Sequence, residues 1–364
     1  MKAFALRFSL LLVVVALELP MQPLPAHATG NSPLFAEIPM PESIDLCGEP
    51  LPLERRGVWE MLDREFTISV WDRAQTFMWL KRAGRYFPYV EQALAEKKMP
   101  TDLKYLAVAE SAMLTHVRSR AGALGPWQFM KATARAKGLR KDRSMDERRS
   151  FERSTAAALA YLASLQEEFG SWTLAMAAYN CGESRMRRTI REQKTSDYYS
   201  LDLPRETERY IFRIAAIKII MEDPERYGYR LSKAGVYTPL AVDRVAVNIA
   251  GAFHIGDVAE SLGMSFKSLK ELNPQILGSY LPVGRYELKV SKGCGKKLPG
   301  VLKRLVGKRT LRTRKAAYYV VKPGDTLGRI GRKTGVSVKS LRKINKISGS
   351  IIKVGQKLRL QSGG

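Results

Sequence analysis

The sequence predicts a mainly α protein, with one long helical domain followed by two small α+β modules. Three observations carry this reading. From Arg55 to Pro224 apolar residues recur at near-helical intervals with no clear alternating stretch. Past Tyr229 short alternating runs appear, at 245–249 and 286–290, and read as strands. The run from Gly263 to Asn273 then recurs from Gly335 to Asn345, and each copy ends in a Val-Gly turn and a strand. Each unit spans about 45 residues in the order strand, helix, helix, strand, and two copies suggest paired modules rather than a solenoid.

The elements follow in order. Lys2 and Arg7 precede an apolar run over 8–17, and Ala26-His27-Ala28 has the form of a cleavage site. This is the layout of a secretory signal over residues 1–28. The run is short for a membrane span. Cys47 lies in Ile44-Asp45-Leu46-Cys47, which is no lipobox, so the expectation is an exported protein of the periplasm or cell envelope without a lipid anchor. Residues 29–54, rich in Pro and small residues, read as an extended leader.

The helical domain is expected over 55–228. Trp59, Leu62, Phe66, Val70, Phe77, Leu80 and Phe87 mark its first helices. Thr101 or Asp102 is expected to cap the helix that carries Glu110. Ser154-Thr155 is expected to cap the next long helix, ended by Gly170. Further helices are read from Trp172 to Tyr179 and from Glu206 to Met221, the last followed by Pro224.

A first module is expected over 240–291 and a second over 317–362. Between them, 292–316 holds ten Lys and Arg and no acid. This segment reads either as a solvated basic linker or as an electrostatic tether to an anionic wall or membrane-surface polymer.

The chain has 364 residues, a net charge of +26, 45% apolar and 26% charged residues. The charge calls for an anionic partner. Export and the lack of a recognised nucleic-acid motif weigh against nucleic acid. Three scattered cysteines and three scattered histidines give no disulfide framework, no zinc spacing and no metal site. No cofactor is expected, and the protein is read as a monomer.

Glu110 is the principal catalytic candidate. Counted along a helix, Leu103, Leu106, Ala107, Met113 and Leu114 share its face. A carboxyl in an apolar stripe is costly to ionise, so its pKa rises toward that of a general acid working near neutrality. Alone, such a residue more often marks the polar edge of an amphipathic helix.

Four segments change that balance: Glu110-Ser111, Gly125-Pro126-Trp127-Gln128, Ala178-Tyr179-Asn180, and Glu206-Thr207-Glu208-Arg209-Tyr210. In this order and spacing they resemble the lytic transglycosylases of lysozyme-like SLT fold. Tyr319-Val320-Val321-Lys322-Pro323-Gly324-Asp325-Thr326-Leu327 resembles a LysM module, and 240–291 resembles a degenerate copy of one. Catalytic domain followed by LysM is the architecture of the lytic murein transglycosylase D group. The resemblance implies a lysozyme-like all-α catalytic domain followed by βααβ LysM modules.

It also implies a carbon–oxygen lyase acting on peptidoglycan glycan strands, with Glu110 as both acid and base. Glu110 would protonate the glycosidic oxygen between N-acetylmuramic acid (MurNAc) and N-acetylglucosamine (GlcNAc), then take the proton of the muramic C6 hydroxyl as that hydroxyl attacks C1. A 1,6-anhydro end forms without water. Most hydrolases need two carboxylates, and the sequence offers one clear candidate.

Supporting roles are carried over residue by residue. Ser111 would contact sugar or the Glu110 carboxyl, or back-bond to its helix. Gln128 offers donor and acceptor to an N-acetyl group. Tyr179 would orient Glu110 or pack in the core. Asn180 would bind sugar or hold a turn. Glu206 would contact substrate, serve hydrolysis or pair with Arg209 or Arg213, and Tyr210 would share its face. Trp127 would stack on sugar or fill core. In the terminal module Gly324, Asp325, Thr326, Ile344 and Asn345 would line a GlcNAc groove, with Asp325 or Thr326 as helix cap.

Two departures from the family pattern stand out. Pro126 replaces an apolar residue, usually Leu. Phe253-His254-Ile255 replaces Asp325-Thr326-Leu327 in the first copy, which removes its expected cap. The rival readings are a hydrolytic lysozyme-like muramidase and a non-catalytic wall-binding scaffold.

Overall fold

The computed structural model describes residues 38–315 and 318–360. The expected signal at 1–28 and the head of the leader lie outside them. The later leader is not extended. Strands β1 (Asp45–Leu46) and β2 (Glu49–Pro50) form an antiparallel hairpin. Leu46 and Leu51 insert into the core, which draws the hairpin onto the helical domain.

Helices α1 (Arg56–Trp71) and α2 (Arg73–Glu96) follow. In α1 the buried Val58, Leu62, Phe66 and Val70 recur every four residues and form one apolar stripe. Next comes α3 (Lys104–Ser111), entered through a 3-10 turn, Thr101–Leu103. The expected cap is not made there: the Asp102 carboxylate instead accepts the Cys47 N–H and the Lys218 ammonium, each at 2.8 Å. After α4 (Lys131–Ala136), α5 (Phe151–Phe169) starts three residues before the expected cap at Ser154. Ser150 caps it, and Ser154 and Thr155 sit in its first turn, donating their hydroxyls back to the Ser150 and Phe151 carbonyls.

The domain closes with α6 (Trp172–Cys181), α7 (Glu183–Gln193) and α8 (Arg205–Glu222). From Tyr210 to Ile220 nearly every α8 side chain is buried, as expected of a helix enclosed by others. It packs against α1, α3 and α6 and so joins the parts of the site.

The first module pairs β3 (Val242–Ile249) with β6 (Gly284–Ser291), antiparallel from Val242↔Ser291 to Ile249↔Gly284. Between them lie β4 (Phe253–His254), α9 (Ile255–Ser261), α10 (Phe266–Leu272) and β5 (Tyr280–Leu281). The cap expected to be lost is replaced: the His254 Nδ1 accepts the Gly256 N–H at 3.2 Å.

The start of the basic stretch after this module is packed and is not a solvated linker. Helix α11 runs Leu298–Lys315, and Leu298, Val301 and Leu302 enter the module core. Their spacing of three and four is helical, but charge dominates the segment and hides it.

The first module is fastened to the helical domain. The Asp146 N–H donates to the Gln275 carbonyl and the Leu277 N–H to that of Ser144, each at 2.8 Å. Met145 lies within the module core. Glu152 at the start of α5 receives Lys289 at 2.7 Å and Arg244 at 3.0 Å.

The terminal module pairs β7 (Tyr318–Val320) with β8 (Lys357–Arg359) around α12 (Leu327–Thr334) and α13 (Val338–Ile344). Val321, Leu327, Ile330, Leu341, Leu358 and Leu360 form its own core. Both modules therefore have the expected strand, helix, helix, strand order.

Candidate active site

Glu110 occupies the last turn of α3. The helix stops because Ala112 and Met113 turn left-handed, with φ of 52° and 62°. The expected face is therefore interrupted. Leu103, Leu106 and Ala107 lie on it, while Met113 reaches the core through the turn and Leu114 is only half-buried. This matters electrostatically, because a helix C-terminus disfavours a negative charge.

Glu110 is half-buried as a residue, and its carboxyl Oε1 accepts the Tyr210 hydroxyl from α8. Burial pushes its pKa up to about 7. The Tyr210 hydrogen bond works against that rise, Glu206 adds to it, and Arg213 reduces it. A carboxylic acid half-protonated near neutrality is equipped to give a proton and take one back.

Ser111 neither back-bonds to its helix nor reaches the carboxyl. Its Oγ donates to the Pro126 carbonyl at 2.9 Å and ties the Glu110 helix to the 125–128 loop. Gly125 has φ of 87°, and a Cβ there would fall 1.9 Å from the Arg148 carbonyl oxygen, so only glycine fits. Pro126 has no N–H to give, and its carbonyl is the acceptor for Ser111. Gln128 sits at φ 44° and spends its amide hydrogens on the Gly125 and Val117 carbonyls, at 2.8 and 3.1 Å. Its expected donor role toward an N-acetyl group is consumed by the loop. Trp127 fills the core and donates its Nε1–H to Thr155 at 2.8 Å, so it is no sugar platform.

Tyr179 on α6 donates its hydroxyl to the Trp127 carbonyl at 2.7 Å. It therefore supports the loop and does not hydrogen-bond Glu110. Burial, then the neighbouring Glu110 charge, hold its phenol protonated. Asn180 accepts the Thr207 hydroxyl at 2.8 Å and joins α6 to α8. Glu206, in the first turn of α8, is exposed. Of the alternatives for Glu206, a pairing with Arg209 or Arg213 is not made: both guanidinium groups go to Glu65 on α1, at 2.7 and 3.5 Å.

Three residues that pattern reading passed over hold the site together. Glu65 is one, with its side chain 3% exposed. Arg148 is the second: buried and paired with Asp146, it donates to the Gly122 and Phe129 carbonyls at either end of the loop. Glu49 is the third. Its carboxylate accepts the N–H groups of Trp172 and Thr173 and the hydroxyls of Ser171 and Thr173, which caps α6 from the hairpin.

In the terminal module Thr326 caps α12. Asp325 is taken up by the Tyr319 hydroxyl at 2.7 Å, the Lys322 N–H at 3.0 Å and Lys333 at 2.8 Å. Asn345 exchanges both amide hydrogen bonds with the Arg359 backbone, as Asn273 does with Lys289 in the first copy. The side chains of Asp325 and Asn345 thus brace the fold of the module. Gly324 takes a left-handed φ of 77° beside them, and Ile344 is half-buried.

A cavity of about 180 Å³ opens elsewhere, between α2, the start of α5 and the first module. Tyr86, Tyr89, Glu152, Arg244 and Lys289 line it, and Glu110, Gln128, Tyr179 and Tyr210 do not. It belongs to the junction and not to this cluster. Cys47, Cys181 and Cys294 are free thiols.

Comparison with known proteins bears on both parts of the chain. Residues 88–201 match the transglycosylase SLT domain, and residues 319–361 match the LysM domain. The membrane-bound lytic murein transglycosylase D of Escherichia coli is 34% identical over 299 residues, which is 78% of this chain and 64% of that protein. The chain thus spans somewhat under two thirds of that relative. An autolysin of Enterococcus faecalis is 38% identical over 109 residues, 30% of this chain and 14% of its own. A solved lytic transglycosylase Slt of Pseudomonas aeruginosa overlaps loosely, with a TM-score of 0.31 at 19% identity over 52% of this chain and 27% of that one. Among the described residues no helix is long and apolar enough to cross a membrane.

Proposed function

We propose that this chain, in which an SLT domain precedes a LysM domain, is an exported peptidoglycan lytic transglycosylase. The observation that carries the reading is the Glu110 carboxyl, held by Tyr210 and poised near neutrality in the last turn of α3.

Glu110 protonates the glycosidic oxygen between MurNAc and GlcNAc. The C1–O bond breaks and positive charge develops at C1. The ionised Glu110 then takes the proton of the muramic C6 hydroxyl, whose oxygen bonds to C1. The proton count closes on Glu110, and the product ends in a 1,6-anhydro ring. Attack from within the same sugar gains the proximity advantage of an intramolecular step.

Tyr210 fixes the carboxyl. Ser111, Gln128, Tyr179 and Asn180 act chiefly by building the loop and helix frame around it. The terminal module holds the enzyme to the glycan, with Gly324, Thr326 and Ile344 on the side that receives it. The basic helix α11 favours an anionic wall or membrane-surface polymer nearby.

One observation favours a hydrolytic reading as the alternative: Glu206 is close enough to act on the Glu110 charge and could serve a water. It is exposed, with no ion pair among the described residues to fix it. Digestion of purified peptidoglycan by the protein and by Glu110→Gln decides both points. Anhydro ends that disappear with the substitution support the proposal. Reducing ends support the hydrolase, and unchanged release by Glu110→Gln removes Glu110 from the mechanism.

A further inference from the structure

Helix α8 carries Glu206, Arg209, Tyr210 and Arg213 within little more than two turns. Tyr210 reaches Glu110 on α3, while the two arginines reach α1 instead. There the Glu65 carboxylate accepts Arg209 Nε at 2.7 Å on one oxygen and faces Arg213 Nε at 3.5 Å on the other, with Arg64 also bonded to it. The Glu65 side chain is almost wholly covered, whereas Arg209 and Arg213 are about a quarter and a third exposed, at 25% and 34%. Such an enclosed carboxylate is costly without cationic partners, so the cluster is mutually dependent.

We propose that Glu65 is a positioning residue for Glu110: it commits the guanidinium groups of Arg209 and Arg213 to α1, so that the acid is met by the Tyr210 hydroxyl and not by a cation. The proposal rests on the reading of Glu110 as the acid.

The groups around Glu110 explain why this matters. From α8 come Tyr210, Glu206 and Arg213; from α6 comes Tyr179. From α2, the Arg82 guanidinium is directed to the Ala112 carbonyl at the end of α3. Tyr179 and Tyr210 stay neutral, held protonated by burial and by Glu110 itself. Arg213 is the cation that already pulls the Glu110 pKa down. It stands three residues beyond Tyr210 on the same helix, so the two side chains lie on neighbouring sides of one turn. Without Glu65 its charge is no longer drawn to α1 and acts more strongly on Glu110. The acid would then ionise at lower pH and be spent before it could protonate the substrate.

The test is the pH–rate profile of peptidoglycan digestion by the full chain. Activity needs protonated Glu110, so the alkaline limb tracks its pKa. Glu65→Gln is expected to move that limb to lower pH by about half a unit or more, with activity retained on the acid side. Arg213→Gln is expected to move it upward, and the double variant to bring it back toward the parent. Glu65→Asp keeps the charge but shortens its reach. It moves the limb the same way as Glu65→Gln by less, which covers the case in which Glu65→Gln does not fold. A uniform loss of activity with unmoved limbs in the Glu65 variants means a structural role only and overturns the proposal. Glu110→Gln separates the two readings. If it stays active, the acid assignment itself falls; if it is inactive while the limbs stay fixed, only the role of Glu65 falls.

Discussion

The Tyr210 hydroxyl donates to the Glu110 carboxyl across 100 residues of sequence, and this bond directly links α3 to α8, the central helix of the domain. With Glu110 as the proposed acid, it has two effects of opposite sign on the reaction. It orients the carboxyl, and it draws down the pKa that burial raises. Tyr210→Phe removes both. The pKa of Glu110 should rise further, so the alkaline limb of the pH–rate profile moves up. The maximal rate should nevertheless fall about tenfold or more, because an unheld acid loses its alignment. A rate loss without an upward shift of the limb would contradict this account.

Glu110→Gln should stabilise the fold in a pH-dependent way. The folded-state pKa of Glu110 lies above its ordinary value, at about 7 against 4.5. Between those values the folded state binds more protons than the unfolded one, so its stability contribution falls as pH rises. A neutral amide escapes that loss. Thermal unfolding should show little difference between the proteins at pH 4 and a more stable variant at pH 8, by at most a few kcal/mol. Equal gains at both pH values would mean that the carboxyl is not strained by ionisation.

Glu49→Ala tests whether the hairpin belongs to the catalytic domain. Its carboxylate satisfies two backbone N–H groups and two hydroxyls at the start of α6, the helix that ends with Tyr179 and Asn180. Loss of such a cap costs about 1–2 kcal/mol. The expected outcome is a lower Tm together with a lower rate, both relieved in part by Glu49→Gln. An unchanged Tm would show that the hairpin only rests on the domain.

The contrast between Glu110 and Glu65 shows which features the sequence could reveal. Glu110 was legible because its neighbours are local: an apolar stripe, an adjacent serine and three further short motifs in order. Glu65 pairs with Arg209 across 144 residues, and Glu49 caps α6 across more than 120. No local period records such ties. Trp127 and Gln128 were legible in position but not in role, since only the folded loop shows that Trp127 is enclosed and that the Gln128 amide is spent on carbonyls. The α11 helix was hidden for another reason. Its apolar positions Leu298, Val301 and Leu302 sit among basic residues, and net charge outweighed period in the reading.

The terminal module offers a way to separate binding from catalysis. Asp325 bonds the Tyr319 hydroxyl on β7, the Lys322 N–H and the Lys333 ammonium on α12, and so fixes the turn that starts the module's first helix. These partners hold its carboxyl well below the usual carboxylate range, the Lys333 bond most of all. Its stabilisation is therefore present at neutral pH and is lost only in strong acid. Asp325→Ala removes it at every pH. Because this module buries its own core, the damage should stay there: the catalytic domain keeps its separate helices and its Glu110 cluster. Co-sedimentation with insoluble peptidoglycan should fall several-fold, while cleavage of short soluble glycan stays within about twofold of the parent. Fully retained sedimentation would place wall attachment outside the LysM module, and an equal loss on soluble glycan would show that the module also shapes the catalytic cleft.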